Sequence, residues 1–267
     1  MRCHAGWTLW FLGQPDEALN KIKEALTLAR ELTEPHGLAH ALFFAAILYQ
    51  LRREEPMAQE HAKAVISFST EHGLVMYQAM ATIVHAWALL KQGRTEQAVE
   101  QMRQGLAALQ ATGTERVRPH FLALLAEAMD SDRRVEEGLR LLEEAQALID
   151  RNSERYYQAE LYRLQGELLL KQSKGPQMLT GGKAVVEAES PAAANAEGCF
   201  NQSIKIAQRQ KAKSLELRAV ISMARLYQNQ GRPKEARRIL TQIYNKFTEG
   251  FDTMDLREAK SLLGELS

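Results

Sequence analysis

The stretch Gly6-Trp-Thr-Leu-Trp-Phe-Leu-Gly13-Gln-Pro15-Asp-Glu-Ala18-Leu-Asn-Lys-Ile22-Lys-Glu-Ala25 decides the fold, because its landmarks recur at one spacing. Steps of 40 residues from Ala18 reach Ala58, Ala98 and Gly138, all small. Four and seven residues beyond each stand Ile22/Ala25, Ala62/Val65, Met102/Gly105 and Leu142/Ala145, a spacing that puts them on one helical face. The same register returns at Ala196 with Phe200 and Ser203, and at Ala236 with Leu240 and Ile243. Gly138 and Ala196 are 58 residues apart, so 18 extra residues lie between them. A period of this size marks stacked helical units.

Twelve residues upstream runs a second small series, Gly6, Ala46, Ala86, Ala126, Gly166 and Ala224. It keeps the 40-residue step through Gly166, which confines the insertion to the stretch between Gly166 and Ala196. There, Gly175-Pro176, Gly181-Gly182 and Pro191 have the composition of a loop. A large apolar residue follows each small one by three positions: Leu9, Tyr49, Leu89, Met129, Leu169 and Tyr227. Two small sites and one large one per unit suit two antiparallel helices in close contact. Gly13, Gly93 and Gly231 end first helices, and Pro15 and Pro233 sit where second helices begin. Units two and four carry Arg53 and Arg133 at the glycine position, making those turns degenerate. Pro35-His36-Gly37, His72-Gly73, Thr112-Gly113-Thr114 and Asn152-Ser153 read as connections between units. Asp252 is placed to cap a closing helix that bears Leu256, Ala259, Leu263 and Leu266.

Composition excludes several classes. Lys and Arg number 34 against 33 Asp and Glu, so no global charge argues for nucleic acid or acidic membranes. Cys3 and Cys199 are the only cysteines, too few for a disulfide framework or a cysteine-rich zinc site. No window approaches the roughly 18 uninterrupted apolar residues of a membrane span, and Trp7 to Leu12 is too short for a signal peptide. These features point to a cytoplasmic chain with no membrane partner. Gly175 to Lys183 fails as a nucleotide loop, with Gln177 where glycine is required and Ala184 where a hydroxyl is. His36 and His40 are four apart, yet Gly37 replaces the expected glutamate and no third zinc ligand is evident. His85 and His120 have no neighbouring nucleophile, and Glu136-Glu137 and Glu143-Glu144 read as solvated faces. No enzyme activity, cofactor or metal is expected.

The small residues at fixed places and the glycine turn resemble the tetratricopeptide repeat across nearly the whole chain. The period is 40 rather than the usual 34, and Arg2, Leu42 and Thr82 stand where that repeat commonly has tryptophan. Ala159-Glu-Leu-Tyr-Arg-Leu-Gln-Gly-Glu-Leu-Leu-Leu170 and the stretch from Ala212 to Asp252 resemble the carboxy-terminal tail of bacterial multidomain signalling regulators. In these, a nucleotide cyclase or DNA-binding domain precedes a STAND-type ATPase and a tetratricopeptide tail. The resemblance implies one all-α, right-handed superhelical solenoid of six helix-turn-helix repeats. They span about 1–33, 36–72, 74–111, 117–151, 154–211 with an inserted loop at 174–192, and 213–249, before a capping helix at 252–266. The first helix is short, which suggests a piece of a longer protein. Trp10 then packs either on repeat two or on repeats upstream.

The resemblance also names a groove, since such arrays line their concave side from first helices. One residue after each small site stand Trp7, Ile47, Trp87, Glu127, Glu167 and Arg225. Four residues upstream lie Cys3, Phe43, Ile83, Ala123, Arg163 and Ile221, and three further back His40, Met80, His120, Glu160 and Arg218. The amino-terminal half of this groove is apolar and the carboxy-terminal half ionic. Two readings of the apolar half stay open: an exposed site for a protein or peptide, including another domain of the same polypeptide, or a superhelix closed so that Phe43, Ile47, Ile83 and Trp87 form core. A closed superhelix could also hold a small molecule against Trp7, Trp87 and Phe43. Residues 201–247 carry eleven basic and two acidic groups, which offers an alternative of a stand-alone adaptor contacting an acidic partner or nucleic acid. Nucleic acid is disfavoured because few aromatics interleave with the basic groups. Solenoid ends leave a homodimer open.

Overall fold

A computed structural model describes residues 2–32, 34–129, 134–172 and 190–266. Its described residues form thirteen α-helices and no strand. Six antiparallel pairs follow one another: α1 (Arg2–Phe11) with α2 (Pro15–Leu32), α3 (Pro35–Leu51) with α4 (Glu55–Glu71), and α5 (Val75–Lys91) with α6 (Thr95–Ala111). Next come α7 (Arg118–Glu127) with α8 (Val135–Asn152), α9 (Gln158–Gln172) with α10 (Pro191–Gln210), α11 (Lys213–Asn229) with α12 (Pro233–Tyr244), and the single α13 (Met254–Glu265). Arg133 and most of the inserted loop lie outside the described residues.

The small residues let the helices of a pair approach. Ala18, Ala58, Ala98, Ala196 and Ala236 have no exposed surface. At Gly166, an added Cβ would fall 2.5 Å from Phe200 Cε1; at Gly138 one would fall 3.4 Å from the Ala126 carbonyl of its partner helix, and 2.8 Å from Leu168 Cδ1 of the next pair. Gly13, Gly93 and Gly231 turn between paired helices at φ of 83°, 78° and 72°, the left-handed region open to glycine. Arg53 takes the same conformation at φ 61°. Pro35 and Gly37 belong to α3 rather than to a linker. Glu34 caps that helix by accepting from the His36 and Gly37 amides. Thr253, not Asp252, is the N-cap residue of α13, and Leu262 rather than Leu263 is buried there.

First helices form an inner layer and are buried nearly all round, as α3 and α5 show; second helices bury one stripe and expose the rest. The inner layer closes on itself, because α1 touches α3 on one side and α11 on the other. Trp10, 2% exposed, packs at this seam. Its carbonyl accepts from Ser214 Oγ at 2.5 Å, and the Arg218 guanidinium lies 5.0 Å from its ring. Residues of the last repeat therefore take part in covering it, a partner neither sequence alternative named. Across the same seam, Glu249 Oε1 accepts from the Asp16 and Glu17 amides at 2.9 and 3.1 Å, while the Gly250 amide donates to Asp16 Oδ2 at 2.9 Å. The start of α2 is thus capped by a side chain more than two hundred residues away.

An ion-paired cavity inside the helical array

Closure decides what the predicted groove positions become. Phe43, Ile47, Met80, Ile83 and Trp87 are all buried. His120 is also buried, stacked on Tyr157 at 4.0 Å with its Nε2 3.2 Å from Gln50 Oε1. Burial holds His120 neutral, its pKa pushed down to about 3. Trp7 is half-buried between Tyr156 at 4.5 Å and Phe11 at 5.2 Å, and its buried indole N–H has no partner. His40 sits in the same aromatic cluster, 4.6 Å from Phe44 by ring centroid and 3.1 Å from the Tyr77 hydroxyl. Desolvation, reinforced by His4, lowers its pKa to about 4. The amino-terminal half of the predicted groove is therefore packed, with only Trp7 and His40 partly open to solvent.

The carboxy-terminal half surrounds a cavity of about 140 Å³. Eight predicted positions meet there: Trp87, Glu127, Glu160, Arg163, Glu167, Arg218, Ile221 and Arg225. Five cations, Arg53, Lys91, Arg163, Arg218 and Arg225, face five carboxylates, Glu127, Glu160, Glu167, Asp255 and Glu258. Each is paired. Lys91 meets Glu127 at 2.7 Å, and Arg163 meets Glu160 at 2.9 Å and Glu167 at 3.5 Å. Arg218 meets Asp255 at 2.8 Å and, more loosely, Glu160 at 3.6 Å. Arg53 reaches Glu258 at 2.6 Å and Asp255 at 3.1 Å, and Arg225 reaches Glu258 at 2.8 Å. Burial alone would raise the Glu160 pKa, but Arg163 and Arg218 overcome it and hold the carboxyl at about 2. Ser222 donates to Glu167 at 2.6 Å.

Sequence reasoning missed Arg53, Lys91, Tyr157, Asp255 and Glu258 as parts of this site. Arg53 carried a signal, since an arginine where a turn wants glycine asks for a reason. Asp255 and Glu258 carried none, because they reach the cavity only through the docking of α13.

Other candidates lie apart from the cavity. His85 Nδ1 is 3.1 Å from Gln101 Oε1. Among the described residues, no group of three or more His, Cys, Asp or Glu is placed to hold a metal, and no helix is long and apolar enough to cross a membrane. The Gly175 to Lys183 stretch lies outside the described residues. The basic block at 201–247 is partly neutralised: besides Arg218 and Arg225, Lys246 pairs with Glu216 and Arg232 with Glu235.

The fold is a tetratricopeptide-like solenoid. A tetratricopeptide repeat family model matches residues 2–20, 79–104 and 217–242, stretches of repeats one, three and six. Among solved structures, a Rap protein complexed with competence and sporulation factor is similar with a TM-score of 0.63 and 12% identity, over 99% of this chain and 72% of that one. The apo form of RapI gives a TM-score of 0.55 and 14% identity, over 99% and 96%. A putative kinesin light chain repeat protein of Podosopora anserina gives 0.49 and 19%, over 79% and 95%. No curated protein matches the chain.

Proposed function

We propose that this chain is a non-catalytic recognition or sensing module of the cytoplasm, the scaffold or sensor tail of a larger bacterial signalling ATPase or cyclase, and that it receives a peptide or neighbouring domain on its concave face. One observation carries the reading: concave positions from four successive repeats converge on a single cavity. Stability alone gives little reason to place ten charged groups there, because well-packed apolar side chains serve a core as well or better. The Rap protein bound to competence and sporulation factor supplies a precedent, at the level of fold, for an array of this kind that takes a ligand.

Peptides selected from a display library on the purified chain, followed by titration, test this reading. Glu167→Lys in the cavity should weaken the selected peptides at least about tenfold, a loss of about 1.4 kcal/mol. Glu143→Lys, on the exposed face of α8, should leave them unchanged. Equal loss from both variants, or peptides indifferent to Glu167, would contradict it.

A further inference from the structure

The geometry points to the cavity as a site for a small zwitterion of the α-amino-acid class, a ligand distinct from any protein partner. Three observations converge on that class. The first is charge balance. With five cations and five carboxylates around the cavity, a ligand of net charge would upset a balanced set, whereas a zwitterion adds one charge of each sign and keeps the balance.

The second is the division between floor and rim. Glu160, Arg163, Arg218 and Asp255 form a floor whose side chains are 5–16% exposed, saturated by one another. Arg53, Lys91, Glu127, Glu167 and Arg225 form a rim whose side chains are 30–53% exposed, so they can turn toward a ligand at small cost. A ligand carboxylate would meet Arg225 and Arg53, which share Glu258; a ligand ammonium would meet Glu167 and Glu127.

The third is size. About 140 Å³ is close to a cavity that holds a benzene-sized molecule, which suits a free amino acid and admits no more of a peptide than one side chain or one terminus. Because the rim groups come from the turn after α3 and from α5, α7, α9 and α11, a bound zwitterion would tie repeats two to six together and stabilise the closed form by mass action.

The test uses the purified full chain. The standard L-amino acids are titrated one at a time at millimolar concentration, with propionate and propylamine as single-charge probes at matched ionic strength, reading calorimetric heat and Tm. At least one amino acid should bind saturably and raise Tm, while propionate and propylamine do neither. Arg225→Gln, at a largely exposed side chain, and Glu167→Gln should each weaken that ligand at least about tenfold without changing the far-UV circular dichroism. No saturable binding by any amino acid, equal binding by a single-charge probe, or indifference to both variants would overturn the inference. Peptide recognition that persists without any amino-acid response would sink this inference and leave the recognition reading standing.

Discussion

Replacing Glu249 by Ala removes the side chain that caps α2 from the far end of the chain. Its Oε1 accepts from the Asp16 and Glu17 amides, and no other acceptor replaces it at that helix start. Loss of an N-cap costs about 0.5–2 kcal/mol, and loss of a carboxylate at a helix N-terminus costs about 0.3–1 kcal/mol more. The site is half-buried, so we expect a total of roughly 1–2 kcal/mol. In a chain of this size that lowers Tm by about 2–8 °C. Glu249→Gln keeps the acceptor and should recover most of the loss. Hydrogen exchange localises the effect: the amides of Asp16 and Glu17 should lose protection, together with those near Trp10 and Ser214, which share the seam. Unchanged exchange at Asp16 and Glu17 in Glu249→Ala would refute the seam, whatever happened to Tm.

Trp87→Ala should cost about 3–5 kcal/mol, since the ring is 1% exposed; chemical denaturation measures it, and a cost under about 1 kcal/mol would return Trp87 to an open groove. Gly166→Ala should destabilise by about 1–3 kcal/mol because Phe200 occupies the space of the new methyl group, whereas Gly198→Ala, which meets nothing within 4 Å, should not. Acid should weaken the fold in stages. His40 and His120 bind protons at about 4 and about 3 when folded but at an ordinary histidine value when unfolded, so the unfolded chain takes up protons first and stability falls as pH drops below about 6.5. Glu160, held at about 2 against an ordinary 4.5, adds a loss below pH 4.5 of roughly 3 kcal/mol at most. A Tm flat between pH 7 and 4 would contradict the buried neutral histidines.

The helix pairs were legible because their causes are local. Ala18, Ala58 and Ala98 are small where helices cross, and Gly13 and Gly93 take positive φ where helices turn, so period and composition suffice to place them. The charged character of the cavity was also legible from Glu127, Arg163, Glu167 and Arg225. Closure was not. Whether Phe43 and Trp87 face a groove or a core depends on contacts such as Arg53 with Asp255 and Trp10 with Ser214, each spanning about two hundred residues. Such contacts follow from the summed small rotations of successive repeats, which no single repeat encodes. The cap of α13 was misplaced by one residue because Asp252 and Thr253 are both good capping types, and only the backbone course chooses between them.

Small-angle X-ray scattering of the monomeric chain tests closure most directly. A helical array whose first and last repeats touch should give a radius of gyration near the roughly 18 Å of a compact chain of 267 residues, with a single-peaked distance distribution. An elongated distribution with a radius of gyration well above about 25 Å would mean that the ends stand apart, and the ion-paired cavity inside the closed array would not exist in solution.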